Sequence, residues 1–283
     1  MTRRQQRNLL QTIALQGFFL GLVGLTLIPI LYALSVSFSA TNSLVSSDFR
    51  FFPETYTLRH YIDLFESYPM GRWFLNSSIL AVLTLTITLG VSVPAAYGFS
   101  RIRFRGNRTI FQTLILLNAF PTILSMFALW RLMSVGPITL VNTRIGLVLI
   151  YAGTMGIFGI MNMKGYFDTI PAQIEEASKI DGASDLQIIT KIVLPLAKPS
   201  IIVTGMMVLI YVWNEYIFSV TFMTGAEHYT LAAGLYGLQA GEISGSWPLF
   251  AAAALVTSIP VLVLFLAAQR HMVSGLTVGG VKQ

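Results

Sequence analysis

Residues 75–99 read LNSSILAVLTLTITLGVSVPAAYGF, twenty-five residues without a formal charge. A helix rises 1.5 Å per residue, so about 20 apolar residues cross the roughly 30 Å hydrocarbon core of a bilayer. The stretch is apolar on every face, whereas a transmembrane β-strand would run about 10 residues with alternating polarity. It reads as a membrane-spanning α-helix. Five further windows are as apolar, at 9–38, 110–130, 145–163, 201–222 and 248–268, and only one of them holds a charge, Glu215. One such window could be the buried helix of a soluble protein, but six in 283 residues leave no amphipathic elements to enclose them. The expected fold class is therefore an all-α integral membrane protein with six transmembrane helices.

Composition agrees. Charged residues make up 11% of the chain and hydrophobic ones 54%, against about 25% charged in a soluble domain, so a water-exposed surface could not be covered. The chain has no cysteine, which removes disulfides, thiolate nucleophiles and Cys-based metal sites, and leaves His60, His228 and His271 as its imidazoles. Metal chemistry is not expected. Arg3, Arg4 and Arg7 precede the first window in the manner of a secretory signal, but the window far exceeds a signal core of about 7–15 residues, so an uncleaved first helix is expected.

Positive charge sets orientation, because Lys and Arg stay in cytoplasmic loops. With the N-terminus inside, one side holds thirteen Lys and Arg, among them Arg101, Arg103, Arg105, Arg108 and Lys164, and the other holds five. Both termini are expected in the cytoplasm, with 1–8 as an N-terminal segment, 9–268 as the six-helix domain and 269–283 as a tail. The net charge of +6 is largely this bias, and no aromatic-interleaved basic patch or nucleotide fingerprint points to nucleic acid.

Three loops exceed a minimal turn, at 39–74, 164–200 and 223–247. The second is the most informative. Pro171 begins a short helix through Glu175, Glu176 and Ile180, and Asp181-Gly182 ends it, glycine accepting the left-handed conformation past a helix end. Ser184 and Gln187 form a capping box for a second short helix, which Pro195 and Pro199 should end by bending the chain back to the bilayer. On spacing alone the pair could lie in the headgroup layer or fit a partner's groove.

The residue types bring in a family. Glu176-Ala177-Ser178, Asp181-Gly182-Ala183 and Ile192-Val193-Leu194-Pro195 closely resemble the EAA loop of ABC importer permeases, with Ser178 in place of the second alanine. That resemblance implies a coupling helix that docks in a cleft of an ATPase subunit. Small residues would let it sit deep, Glu176 would meet a positive group, and Gly182 would make the turn stiff. Leu75-Asn76-Ser77-Ser78, Ala95 to Arg101 and Arg103 to Gly106 look like the second helix and following loop of carbohydrate-type permeases. Tyr229 to Ala232 and the tail from Ser274 to Lys282 are similar to the smaller membrane subunit of the maltose/maltodextrin type. The resemblance spans nearly the whole chain. It implies a second, homologous permease subunit, a dimer of ATPases that bind ATP and Mg, an extracytoplasmic solute-binding protein, and no cofactor held by this chain. It also places the tail residues Ser274, Gly275, Leu276, Gly279 and Gly280 near the ATPase interface. The outer loop would reach into the binding protein, through Gln239, Gly241, Glu242 and Ser244.

Polar groups within the spans have two readings. Glu215, beside Asn214 and Tyr216, could line a sugar path, or could sit near the outer end of its helix or bond a neighbouring helix. Pro29, Pro94, Pro121 and Pro260 are expected to be tolerated kinks rather than hinges, with Asn118 beside Pro121 retained as a pore candidate. Since the sequence has no Gly-x4-Gly-Lys-Ser/Thr loop, ATP would be hydrolysed by another polypeptide. The expected function is the non-catalytic translocation subunit of an ATP-driven oligosaccharide importer. The alternatives are a permease for another ABC substrate class, a stand-alone secondary transporter or a membrane enzyme. Catalytic residues of such an enzyme are not evident, because the spans hold one acid and no His or Lys.

Overall fold

The computed structural model describes residues 3–40, 51–135, 139–240 and 246–278. Among these, helices dominate and the only β feature is an antiparallel bridge between Ser39 and Tyr56. Five helices are long and apolar enough to cross a membrane. They are α1 (Arg3–Ser37), α3 (Met70–Arg101), α6 (Arg144–Phe167), the helical run 185–214 that ends in α9 (Leu194–Asn214), and α12 (Trp247–Val278). A sixth span is reached only if a bent helix pair is counted as one. The expected all-α membrane architecture holds.

Two compact units divide the chain, Met1–Tyr68 with Gly237–Ser258 and Pro69–Tyr236 with Ile259–Gln283. In the first, α1 is exposed from residue 11 to 31, an apolar surface suited to lipid rather than water. Its C-terminal end is tied to the amphipathic α2 (Arg59–Ser67) through Ser37 Oγ and Tyr61 Oη, 2.8 Å apart. His60 Nε2 lies 2.8 Å from the Ser39 carbonyl, a local structural use of that imidazole.

In the second unit α3 packs along α6 and α9. Small residues make the approach close: a Cβ on Gly159 would lie 2.8 Å from Ser92 Oγ, the kind of contact that brings membrane helices together without a hydrophobic driving force. Two apolar clusters result, one around Leu80, Leu147, Tyr151, Val208 and Phe222, the other around Ala96, Met163, Phe167, Ile188 and Val193.

Several boundaries differ from the expectation. Window 110–130 is not one straight helix. α4 (Asn107–Ala119) stops before Pro121, and after a 3-10 turn at Thr122–Ser125 the chain continues as α5 (Met126–Ser134), bent by 88°. Pro121 lacks an N–H and drives Phe120 into extended backbone (φ −77°, ψ 126°), so it is a break and not a tolerated kink. Pro29, Pro94 and Pro260 do lie inside continuous helices. Window 201–222 is also interrupted: α9 ends at Asn214, Glu215 is extended, and α10 (Ile217–Phe222) follows.

Pro195 and Pro199 do not end the second helix of the 164–200 loop. α8 (Asp185–Ile188) passes through a π-helical turn at Ile189–Val193 directly into α9, so it is the leading end of a span. The widened turn and the first turn of α9 absorb the donor that Pro195 lacks. The loop 223–247 contains α11 (Leu231–Ala240) rather than irregular chain. Residues 3–8 and 269–278, on either side of the expected six-helix domain, are helical as well.

Candidate functional site

The sequence Pro171 to Leu194 builds a protruding helical tip from local rules. α7 (Ala172–Ile180) follows Pro171, whose φ of −60° suits a helix start. At its end Gly182 N–H donates to Lys179 O (3.0 Å) and Ala183 N–H to Ser178 O (3.0 Å). These are the two bonds of a Schellman motif, with Gly182 at φ +87° in the position that requires a left-handed residue. Two residues later the expected capping box is present: Gln187 N–H donates to Ser184 Oγ (3.4 Å) and Ser184 N–H to Gln187 Oε1 (2.9 Å). Both helix ends flanking the turn are thus satisfied, and the turn is stiff.

The outer surface of the tip carries Glu176, Ala177, Asp181 and Gly182, all exposed, with Ser178 and Ala183 half-buried. Ser178 Oγ donates to Ile174 O at 2.7 Å, so the hydroxyl that replaces the second alanine is spent on its own helix. Ile180 is 87% exposed and Leu186 71%. Two large apolar side chains thus project from either side of a rigid turn. Leu194 and Pro195 lie apart from it, at the start of α9. Lys179 Nζ meets Asp185 Oδ1 at 3.0 Å across the turn, an exposed pair that adds little.

The underside is held by a polar cluster that the sequence reading missed. Glu175, not Glu176, is buried at 8% exposure. Its Oε1 accepts from Arg101 Nε (2.5 Å) and its Oε2 from Tyr97 Oη (2.9 Å), both from the end of α3. Arg101 Nη2 also donates to Ile170 O at 2.7 Å. Ser100 Oγ donates to Asp168 Oδ1 and Lys164 Nζ to Asp168 Oδ2, each at 2.7 Å, which brings in the end of α6. Nothing in the hydrophobic pattern of α7 marked Glu175 as the inward carboxylate. A cleft of about 710 Å³ lies beside the tip, lined by Arg101, Arg103, Phe104, Arg108, Ala172 and Glu176.

Glu215 belongs to a different place, the break between α9 and α10. Its Oε1 accepts from the Phe218 N–H (2.9 Å), and its Oε2 accepts from Tyr151 Oη (2.5 Å) and, more weakly, from the Ser219 N–H (3.4 Å). The carboxylate therefore serves the freed backbone donors of a helix start and bonds a neighbouring helix. Asn214 Nδ2 donates to Ile210 O in its own helix, and Asn118 is exposed near the end of α4.

The segment after α10 is fastened by side chains from the start of α3. Asn76 Nδ2 donates to Glu227 O (2.9 Å) and Tyr229 O (3.0 Å), and its Oδ1 accepts from Arg144 Nη2 (2.8 Å). Trp73 Nε1 donates to Ala226 O and Ser77 Oγ accepts from the Leu231 N–H. A Cβ on Gly234 would fall 2.3 Å from the Trp73 ring, so only glycine fits there. Gln239 is exposed on α11; Gly241, Glu242 and Ser244 lie outside the described residues. Ser274, Gly275 and Leu276 fall on the backbone of α12, and Gly279 and Gly280 lie outside the described residues.

Comparison with known proteins bears on this arrangement as a whole. Residues 86–278 match the family model described as "Binding-protein-dependent transport system inner membrane component". The chain is 36% identical over 257 residues to the galactooligosaccharides transport system permease protein GanQ of Bacillus subtilis, covering 90% of this chain and 89% of the relative. It is 32% identical over 267 residues to the maltodextrin transport system permease protein MdxG of the same species, covering 93% and 94%. Among solved structures, a bacterial ABC transporter involved in the import of the acidic polysaccharide alginate aligns with a TM-score of 0.74 and 25% identity, covering 95% of this chain and 98% of that one.

Proposed function

The chain belongs to the family of binding-protein-dependent transport system inner membrane components, and on that premise we propose that it forms half of the translocation path of an ATP-driven oligosaccharide importer. It is a multi-pass membrane permease of the ABC importer type. A second homologous permease completes the path, two ATPase subunits supply the work, and a solute-binding protein delivers the sugar. Both termini and the α7–α8 tip face the cytoplasm, in keeping with the excess of Lys and Arg on that side. The chain itself is non-catalytic, and ATP and Mg are held by the partner ATPase.

The observation that carries this reading is the tip. A helix closed by a Schellman motif, a glycine at φ +87° and a capping box leaves most of the surface of Ile180 and Leu186 exposed. An isolated chain gains nothing from such exposure, whereas a cleft in a partner would gain about 1.5–3 kcal/mol for each side chain covered. Two relatives are transport system permeases for galactooligosaccharides and for maltodextrin, which supports an oligosaccharide as cargo.

The pair Ile180→Asp and Leu186→Asp tests this directly. Both sites are exposed, so the variant is expected to insert normally, while retention of the ATPase subunit in a pull-down falls by more than about tenfold, since two charges would have to be desolvated in the cleft. Inverted vesicles and right-side-out vesicles containing the whole complex would be assayed with radiolabelled maltotriose and galactobiose. Undiminished retention of the ATPase by the double variant would exclude the tip as the docking element. Absence of ATP-dependent accumulation of either sugar by the wild-type complex would exclude the oligosaccharide reading.

A further inference from the structure

Resting on the reading of the α7–α8 tip as the ATPase contact, we propose that Arg101, Glu175 and Tyr97 form the joint that passes displacement of the tip to α3. They are positioning residues, and Glu175 rather than the exposed Glu176 is the carboxylate that transmits the load.

The tip has covalent connections to α6, through 168–171, and to α9, through the continuous run from α8. It has none to α3. Yet α3 is the helix that packs along both α6 and α9, so a push that moved α7 alone would shear the tip across the end of α3 without turning it. Apolar contacts between Ala96, Tyr97 and Phe167 resist separation but give little resistance to sliding, since dispersion and hydrophobic contact are non-directional. A buried ion pair differs in this respect. Arg101 and Glu175 side chains are 15% and 10% exposed, and removing either partner leaves a charge stranded in a region of low dielectric.

Direction is fixed from both sides of the pair. The guanidinium is held by Glu175 through Nε and by the Ile170 carbonyl through Nη2, while the carboxylate takes a second donor from Tyr97 Oη. Three bonds with different orientations pin α7 and the residue before Pro171 to one turn of α3, in a way that a planar guanidinium can do and an ammonium cannot. The adjacent Ser100–Asp168–Lys164 chain ties the same end of α3 to α6. A movement of the tip therefore arrives at α3 and α6 together.

The test uses the whole complex with its partner subunits, measuring ATP hydrolysed, radiolabelled maltotriose or galactobiose accumulated, and ATPase subunit retained. Glu175→Gln preserves shape and removes charge, Tyr97→Phe removes one bond, and the reciprocal pair Arg101→Glu with Glu175→Arg restores opposite charges. The ATPase is expected to stay bound and active in Glu175→Gln while sugar moved per ATP falls about tenfold, with a loss of roughly twofold to threefold for Tyr97→Phe, the range seen for residues on coupling networks. Partial recovery in the reciprocal pair would support the joint. A merely structural role would lower hydrolysis and uptake in proportion to the folded complex, leaving sugar per ATP unchanged, and that result overturns the proposal. If Glu175→Gln fails to reach the membrane, an unchanged ratio in Tyr97→Phe overturns it equally. Loss of ATPase retention only in the Ile180/Leu186 variant, with a normal ratio in all three joint variants, would leave the tip as a docking element and remove the joint.

Discussion

Gly182→Val is expected to abolish sugar uptake while the chain remains in the membrane and ATP hydrolysis continues. Gly182 sits at φ +87°, and a Cβ there would meet nothing within 4 Å. The penalty is therefore confined to the backbone. A left-handed conformation costs an ordinary L-residue about 1–2 kcal/mol and a β-branched one more. The turn escapes that strain by opening the two Schellman bonds, which shifts Ile180 relative to Leu186 and spoils the shape the cleft must receive. Uptake should follow the tolerance of each side chain for this conformation, falling in the order Gly, Asn, Ala, Val, with Asn the mildest because it visits the left-handed region most readily. Glu176→Lys is expected to give the same phenotype by another route: the residue is exposed, so charge reversal disturbs the partner and not the fold. Sugar uptake, ATPase retention and membrane content would be measured in the same cells. Normal uptake by both variants would remove the coupling role of this segment.

The largest stability effect is expected from Asn76→Leu. Asn76 is 2% exposed and its amide joins two carbonyls of the 226–229 segment to Arg144 at the start of α6. Leucine nearly matches the volume but leaves both carbonyls without donors at a site shielded from water. At about 1–3 kcal/mol for each stranded group, the loss should be roughly 2–5 kcal/mol. For a chain of this size that corresponds to a fall of about 3–8 °C in the midpoint of thermal unfolding. Detergent-solubilised protein followed by a thiol-independent probe, such as intrinsic tryptophan fluorescence, would report it. A shift under about 2 °C would mean that water reaches the site and substitutes for the amide.

How much of this was legible in the sequence depended on the range of the interaction. The positions of the spans followed from charge-free length, since a bilayer imposes the same requirement on every crossing whatever its neighbours. Pro171, Gly182 and the Ser184/Gln187 box were readable because a helix start or stop is settled within about four residues. The interruptions were not. Pro94 and Pro121 look alike as prolines in apolar windows, yet Pro94 lies within α3 and Pro121 ends α4. Packing decided the difference: α3 is supported by α6 and α9 along its length, whereas α4 has no buried residue.

The sequence by itself determined the class of the protein, the approximate limits of its helices and the glycine-stopped tip between α7 and α8, because lipid thickness, backbone donors and left-handed glycine act locally. Tertiary structure alone decided which of two adjacent carboxylates faces inward. Successive residues of a helix point about 100° apart, so Glu175 and Glu176 cannot share a face, and the apolar pattern of α7 misleads, with Ile180 left 87% exposed. Arg101, 74 positions earlier in the chain, selects Glu175 by bringing a charge that must be neutralised where water is excluded. The same holds for Asn76 and the carbonyls some 150 residues away, and for Glu215, whose place became clear only when Tyr151 and the start of α10 were seen to supply its donors.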